Sequence, residues 1–307
     1  MSSRADARAR TAAPRRRSIV SSAPRAEAAG DARAASQRPV VLITGGTRGL
    51  GLAAARHLAA AGWHTVLTDL SDQACRVYGE AESVPGLLAQ LRQRGARASF
   101  HAADLTDEDQ AIATVAAIER ELGPIDALVA LAGGDIGGSD NAAAGGKPPG
   151  NTAFLSQREF LTIFNRNFLT CLHACRAVAA AMRARGRGKI VTVASVSAGF
   201  GVTRETSYAV AKAAVAHFTR CLAAELRPAG INVNCLAPGA TNTGRFRATL
   251  KDRTPEDLIR LRGTGRLDRL AEPVDVCRVI EFFLSPASDF VSGQVLRVDG
   301  GQWTGPI

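Results

Sequence analysis

Three side chains in the second half of this 307-residue chain have the types and spacing for proton transfer. Tyr208 and Lys212 sit four apart in Ser207-Tyr208-Ala209-Val210-Ala211-Lys212, and on a helix that spacing stacks both side chains on one face. A free phenol titrates near about 10. An ammonium beside it favours the phenolate and lowers that value, which is what a general acid or base requires. Ser195 lies thirteen residues before Tyr208, just after an apolar run. It can therefore stand at the carboxyl end of a strand and donate to a substrate oxygen. A Tyr/Lys pair at this spacing also occurs on ordinary solvated helices, so its meaning depends on the elements that hold it.

Those elements are legible from Pro39 onward. Short β-branched runs alternate with longer alanine-rich helical patterns, the signature of βαβ units and a doubly wound parallel α/β sheet. Strands are expected at Val40 to Thr44, His64 to Thr68, Ala98 to Ala102, Ile125 to Leu131, Lys189 to Ala194, Ile231 to Leu236 and Val295 to Val298, about seven in all. One helix runs to Ala61 and stops at Gly62, a loop and a helix fill 71–95, and Thr106 caps a helix ended by Gly123-Pro124. Ser156-Gln157-Arg158-Glu159 is a capping box opening a long helix to about Ala184. The helix of Tyr208 and Lys212 reaches about Arg227, and another spans 273–284. Asn167 falls inside the long helix beside Phe164 and Phe168, where a polar side chain needs partners. Pro238-Gly239 breaks into residues 240–265, which read as a mobile lid with a short helix starting at Thr254-Pro255-Glu256-Asp257.

The first strand runs into Thr44-Gly45-Gly46-Thr47-Arg48-Gly49-Leu50-Gly51. Glycines there permit a tight turn and let backbone amides approach a pyrophosphate at the N-terminus of the next helix. Such a turn alone says little, but between a strand and a helix it marks a nucleotide site. Asp69, about twenty residues on, can accept both ribose hydroxyls of an adenosine and repel a 2′-phosphate. Arg48, inside the turn, could hold that phosphate. A buried clash of like charges outweighs an exposed arginine without a partner, so NAD is preferred and NADP stays open. Asp104, after the third strand, is placed to accept from an adenine amino group. Residues 133–150, with seven glycines, two prolines and Lys147, form a flexible loop past the fourth strand, where α/β crevices bind ligands.

Composition narrows the class. A hydrophobic content of 46% fits an α/β domain over 39–307. The net charge of +10 invites a nucleic-acid reading, but residues 1–38 carry nine Arg against three acids (Asp6, Glu27, Asp31), leaving the rest at +4. That tail, rich in Ala, Arg and Ser and without an aromatic residue, reads as a disordered extension. Arg15-Arg16-Arg17 hints at an export signal, yet no apolar stretch follows; an organelle transit peptide is the weaker alternative. No run of 18 apolar residues exists, so no membrane span is expected. The six cysteines form no CxxC pair and do not cluster with the five histidines. Reduced thiols in a cytoplasmic protein are expected, with no metal and no disulfide framework.

The motifs, in this order, resemble the short-chain dehydrogenase/reductase family from about Val40 to Gln302. They are Thr44-Gly45-x-x-x-Gly49-x-Gly51, Asp104, Asn167, Ser195, Tyr208-x-x-x-Lys212, and Pro238-Gly239 with Thr243. The resemblance implies a single Rossmann-type domain, an NAD(P)-dependent exchange of a secondary alcohol and a ketone, and a homotetramer with the helices at 156–184 and 207–227 at its interfaces. It implies that Tyr208 exchanges a proton with the substrate oxygen while Lys212 lowers its pKa and binds the nicotinamide ribose. Ser195 would orient the substrate oxygen, and Asn167 would hold a water linking Lys212 to solvent. The cofactor would lie against Thr44, Gly45, Thr47, Arg48, Gly49, Leu50 and Gly51, then Asp69 and Leu70, Asp104 and Leu105, Ala132 and Gly133. Pro238, Gly239, Thr241 and Thr243 would face its nicotinamide. The chain departs from the family where many members have Asn-Asn-Ala-Gly, here Ala130-Leu131-Ala132-Gly133, and where a glycine usually follows the helical asparagine, here Thr170. Its Asp69 to Gly95 loop is longer than in many members. Rival readings are an NADPH-dependent 3-oxoacyl-type ketoreductase, which Arg48 favours, and a non-catalytic nucleotide-binding regulatory or scaffold protein. The small-molecule alcohol or ketone is the expected partner, not nucleic acid or a membrane.

Overall fold

The computed structural model of the chain describes residues 38–93, 95–134, 151–250, 263 and 265–305. The basic tail before Arg38, most of the glycine-rich loop after Gly134, and the short helix expected at Thr254 lie outside the described residues.

Seven parallel strands form one sheet in the order β3-β2-β1-β4-β5-β6-β7. They are β1 (Val40–Thr44), β2 (His64–Asp69), β3 (Arg97–Ala102), β4 (Ala127–Ala130), β5 (Gly188–Val193), β6 (Ile231–Pro238) and β7 (Val295–Val298). The helices are α1 (Gly49–Ala60), α2 (Val84–Gln93), α3 (Glu108–Leu122), α4 (Gln157–Arg185), α5 (Thr206–Leu226), α6 (Gly244–Ala248) and α7 (Pro273–Leu284). β1 and β4 are buried along their whole length, which is why they read as unbroken apolar runs rather than alternating ones. Val115, Val178 and Val215 of α3, α4 and α5 pack on one face with Leu42 and Leu128. Leu58, Leu87 and Ile280 of α1, α2 and α7 cover the other with Ile43 and Val129. Strand order reverses between β1 and β4, so the connections leaving their carboxyl ends diverge and open a crevice there.

Local chemistry sets the ends of these elements. Ser156 and Glu159 form the expected reciprocal capping box of α4, and Gly186 closes that helix in the left-handed region. The cap of α3 is Asp107, which accepts from Gln110 N, rather than the expected Thr106. Thr106 is drawn backward instead, its hydroxyl donating to Asp104 Oδ1 at 2.7 Å. β4 is shorter than expected at both ends. Asp126 turns its carboxylate to Val40 N at 2.9 Å, and the N–H groups of Leu131 and Ala132 leave the ladder to donate to Thr44 Oγ1, each at 3.0 Å. β6 runs two residues past Leu236. β5 pairs only as far as Leu236, so Pro238 needs a partner on the β7 side alone and its missing N–H is no obstacle.

Among the described residues no helix is long and apolar enough to cross a membrane. No group of three His, Cys, Asp or Glu among them could hold a metal ion.

Candidate active site

Ser195, Tyr208 and Lys212, the candidates for proton transfer, come together where β5 ends and α5 begins. Ser195 follows β5 in extended conformation, and its Oγ accepts from Ser197 Oγ at 2.9 Å and from Ser197 N at 3.3 Å. Both contacts use its lone pairs, so its own proton remains available to an oxygen in the cavity. Tyr208 lies in the first turn of α5 and Lys212 one turn later, with Nζ 5.7 Å from the centre of the Tyr208 ring. Lys212 is buried and donates to Val193 O at 2.8 Å, which ties α5 to the end of β5. Burial lowers its pKa to about 8, with the Arg245 guanidinium adding a smaller push the same way.

Asn167 is fully buried, and its side chain has three backbone partners. Oδ1 accepts from Gly134 N at 2.7 Å, while Nδ2 donates to Gly134 O at 3.0 Å and Ile163 O at 2.8 Å. The side chain thus grips the backbone after β4. Thr170, the departure from the family pattern, donates to Ala132 O at 3.3 Å and to Arg166 O at 2.9 Å. Together with Thr44, these residues tie down Leu131 to Gly134 without the asparagines that many family members carry.

Ser195, Tyr208 and Lys212 line a cavity of about 1040 Å³ at the carboxyl ends of the strands. The same cavity is lined by Gly45, Arg48, Gly49, Leu50 and Gly51, by Asp69 and Leu70, and by Asp104 and Leu105. Ala132, Gly133, Pro238, Gly239, Thr241 and Thr243 complete the expected set around it. Thr44, Thr47 and Asn167 stand behind the wall and act on it through hydrogen bonds.

The glycine turn fits a dinucleotide. Gly45 has φ +63°, and a Cβ at Gly51 would collide with the Gly45 carbonyl oxygen, so the turn closes only with glycines. Three guanidiniums add positive potential: burial lowers the pKa of Arg166, and Arg245 and Arg48 push it further down. Arg245 lies against Gly134, and its Nε is buried without a hydrogen-bond partner among the described residues.

Asp69 and Arg48, set against each other by the sequence, are paired. Asp69 is 7% exposed. Its Oδ2 accepts from Thr47 Oγ1 at 2.5 Å, Oδ1 accepts from Leu70 N at 3.0 Å, and Arg48 Nη2 stands 3.8 Å from Oδ1. Asp104 Oδ1 accepts from Thr106 N at 2.9 Å. Thr243 caps α6 by accepting from Phe246 N at 3.2 Å.

Several contacts here were not legible in the sequence, although Phe200 is expected there as part of an apolar wall. Asn151 is buried, and its Oδ1 accepts from Ser207 N at 3.2 Å and Ser207 Oγ at 2.8 Å, pinning the start of α5 beside Tyr208. Phe200 and Trp303 stack with ring centres 4.0 Å apart and line the cavity together. Tyr78 lies beneath the Arg48 guanidinium, 5.8 Å from its ring centre. These contacts join segments far apart in the chain, so no local pattern announces them.

Residues 39–254 match the family described as short chain dehydrogenase. Cyclohexanol dehydrogenase of Rhodococcus sp. (strain TK6) is 36% identical over 269 residues, covering 85% of this chain and 95% of the relative. The structure of a 7 alpha-hydroxysteroid dehydrogenase complexed with NADH and 7-oxo glycochenodeoxycholic acid superposes with a TM-score of 0.73 at 30% identity, covering 86% and 94% of the two chains. A variant of actinorhodin polyketide ketoreductase with NADPH gives a TM-score of 0.73 at 27% identity, covering 86% and 97%. With that agreement in sequence and fold, the chain belongs to the short-chain dehydrogenase family and is an NAD(P)-dependent oxidoreductase that interconverts a secondary alcohol and a ketone.

Proposed function

We propose that Tyr208 is the general acid and base of this reaction, working on a cyclic secondary alcohol or its ketone with NAD as the preferred cofactor. The observation that carries the reading is the convergence of Ser195, Tyr208 and Lys212 on the cavity that the glycine turn also lines. The glycine turn, Asp69 and Thr243 would hold a nicotinamide dinucleotide, which would supply the hydride chemistry. Tyr208 takes the hydroxyl proton as the alcohol is oxidised and returns it in the reverse direction. Ser195 Oγ donates to the substrate oxygen, holding it beside the phenol. The Lys212 ammonium favours the phenolate form of Tyr208, and Asn167 holds the Gly134 backbone in place.

The stacked Phe200 and Trp303 rings offer a flat apolar surface, which supports a substrate with a ring of its own, as does the likeness to a cyclohexanol dehydrogenase. Asp69 at the end of β2 supports NAD, because its charge opposes a 2′-phosphate and its partner Arg48 is already engaged. A cytoplasmic homotetramer built on a domain spanning 39–307 completes the reading. Exposed Leu161 on α4 and Val210 on α5, with Phe154 and Phe290, supply apolar surface for self-association.

Tyr208→Phe tests the assignment. Cyclohexanol oxidation should fall by at least about a hundredfold, with NADH binding within about twofold of the wild type. Undiminished turnover would place the proton on another residue.

A further inference from the structure

Between β2 and α2 the chain makes an excursion, residues 71–83, whose tip returns to the mouth of the cavity. Its base is anchored by buried Ala74 and Cys75 in a single tight turn. Arg76 closes that base, its Nε donating to Glu82 O at 2.6 Å while its carbonyl accepts from Gly79 N at 3.0 Å. Gly79 then reverses the chain at φ +65°, in space open enough that backbone conformation alone asks for glycine. The reversal aims Glu80 back across the crevice.

The Glu80 carboxylate bridges two elements distant in sequence. Oε2 accepts from Gly49 N, the first residue of α1, and Oε1 accepts from Gly244 N, the first residue of α6, at 2.8 Å. Tyr78 packs beside it, leaving no room for a side chain at Gly244, and carries the Arg48 guanidinium over its ring. One carboxylate thus joins the β1 side of the cavity to the segment that follows β6. The amide it holds on α1 heads the helix after the glycine turn, where backbone N–H groups and the helix dipole favour a diphosphate. A carboxylate and a diphosphate cannot share that amide, and at such separation like charges repel.

We propose that Glu80 is a built-in anion that occupies the diphosphate end of the crevice and must be displaced before the dinucleotide seats. This rests on the dinucleotide-dependent reading of the family. Only the fraction of molecules with Glu80 withdrawn is competent to bind, so the apparent affinity is reduced by that fraction. Glu80 therefore sets cofactor affinity and entry rate without touching the reacting atoms.

The test is NADH titration and stopped-flow binding, by fluorescence, to nucleotide-free wild type, Glu80→Gln and Glu80→Ala, with hydrogen exchange of residues 77–83 in the wild type. The glutamine keeps the size and an acceptor oxygen but removes the charge. Both variants should bind NADH more tightly, about tenfold for the alanine, mainly through faster association, and exchange in 77–83 should rise when NADH binds to the wild type. Unchanged or weaker binding in the variants, or exchange in 77–83 that falls with NADH, would overturn the proposal and make Glu80 a clasp that retains the cofactor. NADH or NADPH bound by neither wild type nor variants would instead overturn the dinucleotide reading, and the proposal with it.

Discussion

Lys212, given a role in the proposed chemistry, works against the fold. Its ammonium is buried against Val193 O and its pKa is lowered to about 8 from 10.5. Below about pH 8 both folded and unfolded chains carry the proton, and the cost of burying the charge is fully present. Between about 8 and 10.5 the unfolded chain binds more protons than the folded one, so stability rises with pH across that window. The shift corresponds to a cost on the order of 3 kcal/mol. Lys212→Met removes that cost but leaves Val193 O unpaired, at about 1 kcal/mol. The variant should melt a few degrees above the wild type at pH 7, with the gap narrowing by pH 10, and should lose turnover. Calorimetry across that range reads the sign directly, and a lower melting point at pH 7 would show that Lys212 is net stabilising. Asp69 is the other buried charge in the cavity wall. Asp69→Ser keeps an acceptor for Thr47 but frees Arg48, so preference should move toward NADPH by at least about tenfold, measured as the ratio of NADH to NADPH dissociation constants. An unmoved ratio would take cofactor choice away from this pair.

At the scale of elements, the helix that carries Tyr208 and Lys212 is placed by contacts at its start. α5 has no side-chain cap of its own at Glu205. Asn151 takes over by accepting from both the N–H and the hydroxyl of Ser207, while its carbonyl accepts from Thr206 N at 3.3 Å. Because Tyr208 is the next residue, a small shift of this turn moves the phenol relative to Ser195. Asn151→Ala should lower kcat about tenfold with NADH affinity unchanged, since a displacement of about 1 Å is enough to cost rate. It should also cost about 1 to 3 kcal/mol of stability by stranding the Ser207 hydroxyl. Asn151→Asp, which keeps the acceptor, should recover most of the rate; equal losses in both variants would point to a purely structural role. The capping box of α4 and the glycine stop of α1 were visible in the sequence because each lies within a few residues of its helix. The Asp107 cap was not, because it depends on Thr106 being recruited by Asp104.

For the whole molecule, the charge distribution separates a basic tail from a nearly balanced remainder. Removing residues 1–37 should leave turnover and the assembled mass of the enzyme, read by light scattering, scaled only for the deleted residues. A loss of activity or of assembly would draw the tail into the working protein. The sequence by itself determined the order of the seven strands along the chain, the glycine turn, and the Tyr208 and Lys212 pair. Each is a local feature: periodicity and short spacings act through one helix turn or one strand. Only the tertiary structure decided that Arg48 stands 3.8 Å from Asp69, that Thr44 and Thr170 hold the backbone past β4, and that Phe200 meets Trp303. It also decided that Glu80 reaches Gly244 across 164 positions. Those pairings are made by the approach of separate loops at the carboxyl ends of the strands, and sheet order, not sequence neighbourhood, sets which loops meet.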